Sequence, residues 1–242
     1  MNVKEFSDGF DTLVSSYMRF KNFDKKEELD SIEFDEYEKS LYLTMSQKEI
    51  VIGLYTGKNT FGESFELTEE MRRYLDSLVN TKIYAAADAV ADADVLSSKS
   101  KVFSLSAISD LAFIVLEQVI LSGNDEECLD GSRINVQPMT HDEYNKVARN
   151  PFRGPSRYNA IRIDKGGNKV EIISKYDIAS YLVRYLAKPT PIILEDLPTG
   201  LEIEGKSEKT ECALNDMLHD TILKHAVKLA LSSKGIYQPI KY

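Results

Sequence analysis

A β-hairpin followed by a long apolar strand constrains the fold of this chain more than any other feature. Two runs of alternating polar and apolar residues, 160–164 and 169–174, flank the turn Lys165-Gly-Gly-Asn168. A Gly-Gly turn between two such runs is a strong hairpin signal, because glycine adopts the positive φ that tight turns need. The apolar, tyrosine-rich segment 178–186 follows and ends at Lys188-Pro-Thr-Pro191. These segments predict an antiparallel sheet.

Other segments extend this sheet and insert a helix into it. Thr140-His-Asp-Glu143 is a capping box, and it predicts a short helix that stops before Asn150-Pro151. Segment 111–121 could be a strand or a buried helix, and its β-branched content favours a strand. Further strands are predicted from short apolar segments at 134–136, 192–194 and 201–203.

Helices are predicted towards both ends of the chain. Apolar residues at three-four spacing predict helices over 3–18 and 68–79, with Thr68 as the N-cap of the latter, and over 214–231. Residues 35–55 predict one interrupted helix or two short ones. The Ala- and Asp-rich segment 84–94 permits a helix, 21–30 is predicted as a loop, and Ser97–Lys101 is predicted to be a mobile link.

The predicted fold class is α+β: N-terminal helices, a mostly antiparallel sheet with a helical insertion, a long C-terminal helix and an extended tail. A boundary is expected near the mobile link, between an N-terminal helical region, 1–96, and an α/β region, 97–242. The two regions are expected to form one structural unit, since the length suits one large domain or two small ones.

Charge and cysteine content exclude some classes of function. A formal charge of −9 argues against a general nucleic-acid or membrane-surface binder, which normally carries a basic excess. Cys128 and Cys212 are far apart and are expected to be reduced thiols. We expect no signal peptide and no membrane helix, because no apolar run approaches about 20 residues.

No catalytic, cofactor or metal site is predicted. His219 and His225 are six residues apart on the predicted last helix, so their imidazoles point to different faces. A Cys-His nucleophile using Cys212 and His219 is the sharpest enzymatic alternative, but a small apolar residue would serve equally well at position 212. The acidic residues are numerous but dispersed, which is typical of a solvated surface.

Two segments are candidate interfaces. The loop with Arg149, Phe152, Arg153 and Arg157 combines cations with an aromatic ring, as interface hot spots do. Alternatively, its arginines pair with local acids and Phe152 seals the core. Tyr176, Tyr181 and Tyr185 are predicted to pack in the core rather than at a subunit boundary.

The tail 236–242 contains four large apolar residues, Ile236, Tyr237, Ile240 and Tyr242, without helical period. A free tail of this kind would expose large apolar side chains to water and would tend to associate with other apolar surfaces. It is expected to lie on its own fold or to add to a neighbour as a strand.

Several short motifs occur in an order that resembles one protein family: Phe34-Asp-Glu-Tyr-Glu-Lys-Ser40, Thr140-His-Asp-Glu-Tyr144, Asn150-Pro-Phe-Arg-Gly-Pro155, Glu171-Ile-Ile-Ser-Lys175, Tyr181-Leu-Val-Arg-Tyr185, Lys188-Pro-Thr-Pro-Ile-Ile-Leu194, Glu211-Cys-Ala-Leu214 and Leu218-His219. In this order they resemble virion structural proteins of crAss-like tailed bacteriophages, which form rings in the head-to-tail connector. The motifs are structural, and their order over most of the chain is the specific part.

The resemblance implies a ring-forming connector subunit that has no catalytic activity and no cofactor. It implies a homo-oligomeric ring, twelve-fold if it matches a portal, which contacts the portal protein and neighbouring neck or tail rings. Packaged DNA would pass the channel without specific binding. The expected location is the neck or tail of the virion, after assembly in the host cytoplasm. The alternatives are another tail ring, a capsid-vertex accessory protein, a hydrolase or a cytoplasmic regulator of the host.

Overall fold

The computed structural model describes residues 1–25, 33–58, 64–65, 68–122, 130–148, 150 and 152–236. Its contacts divide the chain into two compact units. The first combines Met1–Leu78 with Lys188–Tyr242, and the second is Val79–Ala187. The boundary expected between residues 96 and 97 falls inside the second unit.

The described residues of the first unit form four α-helices. They are α1 (Val3–Lys25), α2 (Glu36–Thr56), α3 (Glu69–Leu75) and, after the second unit, α5 (His219–Ser233). The apolar stripe predicted for α1 is buried at Val3, Phe6, Phe10, Val14 and Met18. An ion pair joins α1 to α2, because the Nζ atom of the buried Lys39 on α2 lies 2.7 Å from Oδ2 of the exposed Asp11 on α1. The same Nζ atom lies 2.8 Å from Oε1 of Glu36, at the start of α2. These carboxylates raise the pKa of Lys39 despite its desolvation, which opposes them.

Hydroxyl side chains on α2 form hydrogen bonds with backbone groups of the chain that follows the second unit. Ser40 accepts a hydrogen bond from Leu194 N at 3.0 Å, and Thr44 accepts one from Ile192 N at 3.1 Å. Ser46 donates to the Ile222 carbonyl of α5 at 2.7 Å. A buried backbone needs such partners, so these polar residues are part of the core of this unit.

The second unit is a seven-stranded mixed sheet with the strand order β1-β7-β3-β4-β5-β6-β2. All pairings are antiparallel except the one between β4 and β5. The strands are β1 (Val79–Ala85), β2 (Lys101–Ser104), β3 (Leu111–Leu121), β4 (Arg133–Met139), β5 (Asn159–Gly166), β6 (Lys169–Ile173) and β7 (Ile178–Ala187).

The sheet curls until side chains of its two edge strands meet. The rings of Tyr84 on β1 and Phe103 on β2 have centroids 5.8 Å apart, and both contact the ring of Tyr181 on β7. Tyr181 and Tyr185 are buried, and the partly buried Tyr176 packs against the same cluster, which confirms that the tyrosines pack in the core.

The parallel pairing of β4 with β5 requires a crossover, and α4 (His141–Val147) provides it. The capping box is present: Glu143 N donates to Thr140 Oγ1, and Thr140 N donates to the Glu143 carboxylate. Tyr144 packs on Ile161, Ile163 and Ile173, which form a second, smaller core. The predicted hairpin and helical insertion are therefore confirmed, as is the α+β class.

Several sequence predictions were wrong in detail. The helix α1 continues to Lys25 instead of yielding to a loop at 21. The helix predicted over 68–79 ends at Leu75, and a 3₁₀ turn leads into β1 at Val79. Residues 86–88 form only a 3₁₀ turn. Segments 192–194 and 201–203 make single bridges, Ile193 to Thr210 and Ile203 to Lys206, and α5 begins at His219.

Candidate subunit-contact surface

The loop that follows α4 is held by hydrogen bonds to Asn150. The Asn150 carbonyl accepts from Gly154 N at 2.8 Å and from Arg153 N at 3.3 Å, while its side-chain oxygen accepts from Phe152 N at 2.9 Å. A Cβ added at Gly154 would lie 2.9 Å from the Asn150 carbonyl oxygen. Glycine is therefore needed here for close approach of the backbone to itself.

This folding turns Phe152 outwards. Its side chain is 94% exposed, so it does not seal the core. Arg153 and Arg157 are also exposed, and neither forms an ion pair within the described part of the chain. Arg149 lies outside the described residues. The alternative reading of the loop, in which its arginines neutralise local acids, therefore finds no support at Arg153 or Arg157.

A surface cavity of about 460 Å³ lies beside the exposed ring. Residues of β4, α4, the loop and the start of β5 line it: Gln137, Pro138, Met139, Glu143, Lys146, Val147, Phe152, Arg153 and Asn159. An aromatic anchor, a cation and a shallow cavity thus share one surface, which we call the Phe152 surface. Such a combination is typical of the centre of a protein interface.

A second exposed aromatic residue, Tyr158, follows in the same loop, and sequence analysis missed it. Its side chain is 73% exposed, and the guanidinium carbon of Arg157 lies 5.2 Å from the centroid of its ring. The turn is fixed by hydrogen bonds from Tyr158 N to Ser156 Oγ at 3.1 Å and from Ser156 N to the Asn159 carbonyl at 3.0 Å. A cation stacked on an aromatic face leaves the other face of the ring available.

Ile236, the first residue of the tail, is buried, and its N–H donates to the Leu231 carbonyl at 2.9 Å. Tyr237, Ile240 and Tyr242 lie outside the described residues, so their use as an interface stays a prediction.

A buried charge network lies under the sheet, and sequence analysis missed it. Glu117 on β3 is 5% exposed, accepts from Arg162 Nη1 at 2.6 Å and also accepts from the Tyr181 hydroxyl. Burial raises the pKa of Glu117 more than these two partners lower it. The sequence signal is a single charged residue within the apolar segment Leu111–Leu121.

A second buried carboxylate organises the segment predicted to be a mobile link. Glu171 on β6 is fully buried and accepts from Leu96 N at 2.7 Å and from Ser100 Oγ at 2.6 Å. Lys165 Nζ lies 3.4 Å from its other oxygen. These contacts tie residues 96–100 to the sheet, so the expectation of a mobile link is not supported.

The histidines and Cys212 have contacts that account for them structurally. His219 is buried, its Nδ1 lies 2.7 Å from the Met1 amine, and its Nε2 lies 3.1 Å from the Leu214 carbonyl. The sulfur of Cys212 contacts Gln47 Nε2 at 3.9 Å, and burial raises the pKa of its thiol, the reverse of what activates a nucleophile. His225 is separate, 3.5 Å from Glu49.

The described residues show neither a metal site nor a membrane-spanning helix. They contain no group of three or more histidine, cysteine and acidic side chains placed to hold a metal ion. No helix among them is both long and apolar enough to cross a membrane.

Comparison with known proteins gives a match over nearly the whole chain. Residues 1–240 match the family described as phage tail ring protein 3/4. Ring protein 3 of Bacteroides phage crAss001 is 44% identical over 235 residues, which cover 97% of this chain and 96% of that protein. Ring protein 4/5 of the same phage is 30% identical over 248 residues, which cover 98% and 94% respectively. This chain therefore belongs to the phage tail ring protein 3/4 family of crAss-like phages.

Proposed function

We propose that this chain is a non-enzymatic subunit of a ring in the connector between the phage head and tail. The ring would extend the channel through which DNA passes, and it would contact the portal protein or the adjoining neck and tail rings. The observation that carries this proposal is the match to a tail ring family over residues 1–240. Twelve copies, assembled in the host cytoplasm, would match the symmetry of a portal.

The Phe152 surface supports this role. In a closed ring each subunit uses one patch to contact a different patch of the next subunit. The Phe152 side chain, which is 94% exposed in the isolated chain, is a candidate anchor for such a contact. Burial of one aromatic side chain contributes roughly 1.5–3 kcal/mol to binding. The exposed Arg153 and Arg157 would favour an acidic patch, and an overall charge of −9 makes acidic patches on a second copy common.

The same net charge suits a channel that DNA must traverse. Phosphates bind proteins mainly through lysine and arginine, and an acidic wall offers few such contacts. A subunit of charge −9 therefore favours passage of DNA over retention.

Cryo-electron microscopy of purified particles tests the proposal, using an antibody fragment raised against the recombinant chain as a label. Label at a symmetric ring between head and tail is expected. Label at capsid vertices would favour an accessory protein instead, and absence of label from intact and opened particles would overturn the proposal.

A further inference from the structure

In the described part of the chain, the edge of the curled sheet formed by β1 is open. The strand β1 pairs with β7 along its whole length, from Val79 opposite Leu186 to Ala85 opposite Ser180. On its other side, β1 has no backbone partner among the residues that the structure describes. The opposite edge of the sheet is different, because Val90 N donates to the Val102 carbonyl of β2 at 2.7 Å.

The side chains of β1 leave this edge accessible. Four consecutive residues, Asn80, Thr81, Lys82 and Ile83, are exposed, although successive side chains point to opposite faces of the sheet. Ile83 is 57% exposed. An unpaired strand edge of seven residues is a template for another strand, and a single lysine, Lys82, is its only charge.

We propose that residues 237–242 of a neighbouring copy add to β1 as an eighth strand. This inference rests on the proposed ring function, because a tail that binds the next subunit's sheet is a heterologous contact that can be repeated around a ring. Pairing of β1 with a second β1 would instead be two-fold and would stop at a dimer.

The place where the described chain stops supports this occupant. The helix α5 ends at Ser233, Gly235 adopts φ 72° and Ile236 is buried, so the described chain is anchored up to the residue before this segment. Six residues of strand span roughly 20 Å and seven span roughly 23 Å, so the tail and β1 match in length.

The order of residues in the tail also fits an added edge strand. Pro239 has no N–H and is tolerated in a sheet only where that position faces outwards. If Pro239 faces outwards, Gln238, Ile240 and Tyr242 donate their N–H groups to β1, because alternate residues face the same way. The tail then leaves one unpaired edge, which Pro239 and Lys241 protect.

Disulfide trapping between two copies tests the pairing. Both copies would carry Cys128→Ser and Cys212→Ala, and one would carry Ile240→Cys with a distinct affinity tag. The other copy would carry one cysteine on β1, at each of positions 80–83 in turn, and the full chains would be mixed and oxidised under assembly conditions. Lys169→Cys, an exposed position on β6, is the matched control.

The expected product is a disulfide-linked pair that carries both tags. The yield should alternate along β1: it should be at least about tenfold higher either at positions 80 and 82 or at positions 81 and 83 than at the other two positions. The control should give a similarly low yield, since a disulfide forms only when the Cα atoms approach within about 7 Å. A third sample carries Ile240→Cys and the β1 cysteine in the same chain. If that chain links only within itself and the mixed copies do not link to each other, the tail lies on its own sheet, and the proposal is overturned.

Ring formation is measured separately by negative-stain microscopy of the same samples and of particles. Rings that form without the disulfide pattern would overturn this contact and leave the ring function intact. A chain that forms no ring in solution and is absent from particles would overturn both.

Discussion

Glu117 shows how this fold uses a single buried charge. Its carboxylate holds Arg162 of β5 and Tyr181 of β7 beneath β3, so it connects three strands of the sheet. Sequence analysis identified the strands that carry these residues, but a lone acid in an apolar segment can be an exposed edge residue or a buried partner. Only the curl of the sheet, which depends on contacts between distant residues, distinguishes the two.

Breaking this pair should be costly, whereas breaking an exposed pair should not. Glu117→Ala leaves Arg162, whose side chain is 13% exposed, with only the exposed Asp164 at 3.3 Å, so the free energy of unfolding should fall by about 3 kcal/mol. The matched control is Glu69→Ala, because Glu69 and Arg73 form a 2.7 Å pair at the surface, and its cost should stay below about 1 kcal/mol. Urea unfolding measures both, and equal losses would contradict this account.

The raised pKa of Glu117 gives a pH dependence with a definite sign. Because burial raises its pKa above the ordinary 4.5, the folded state binds the proton more tightly than the unfolded chain does. Its contribution to stability is therefore complete below pH 4.5 and is lost as pH rises through the folded pKa. The wild type should lose stability relative to Glu117→Gln over that window in urea titrations. A relative gain would show that Arg162 outweighs desolvation.

Helices and strands could be predicted where the local sequence signals agree. The predictions failed where contacts between distant residues determine the local structure. The Gly-Gly hairpin and the Thr140 capping box fix their elements within a few residues, and both were predicted correctly. Residues 68–79 carry a helical apolar stripe, but pairing with β7 draws Val79 and the residues after it into a strand. Residues 192–194 look like a strand, yet Ser40 and Thr44 of α2 supply the hydrogen bonds that a neighbouring strand would provide.

The two threonines at helix N-cap positions should contribute differently to the free energy of unfolding. Thr140 accepts from Glu143 N, so Thr140→Ala should lower the free energy of unfolding by about 1 kcal/mol. Thr68 occupies the N-cap position of α3 without a side-chain cap, and its buried hydroxyl has no hydrogen-bond partner among the described residues, so Thr68→Ala should change stability by less than about 0.5 kcal/mol. Thermal or urea unfolding of both variants checks the contrast, which a larger loss at Thr68 would contradict.

At the scale of the whole molecule, the sequence predicted the loop that carries Phe152 but not its exposure. From the sequence, Phe152 could lie in the core or outside it. The hydrogen bonds to Asn150 fix the loop in a conformation that exposes Phe152. The open edge of β1 could not be predicted, because residues 80–83 were assigned to no element, Val79 was assigned to the preceding helix, and 84–94 was interpreted as permitting a helix.

Phe152→Ala should separate assembly from folding. The side chain is 94% exposed, so its removal should change the free energy of unfolding by less than about 0.5 kcal/mol. Incorporation into rings should fall at least about tenfold, because loss of a hot-spot aromatic residue costs 2 kcal/mol or more. Met217→Ala, at a residue 71% exposed in the first unit, is the control and should assemble normally. Equal incorporation of both variants would remove Phe152 from the interface.

The central claim, that this chain is a ring subunit of the virion, is tested most directly by mass spectrometry of gradient-purified particles, with its copy number measured against the portal protein. We predict a ratio near one to one or a small whole multiple, as a symmetric ring on the portal axis requires. A chain that is absent from the particles, or present in a number unrelated to the portal, would contradict the claim.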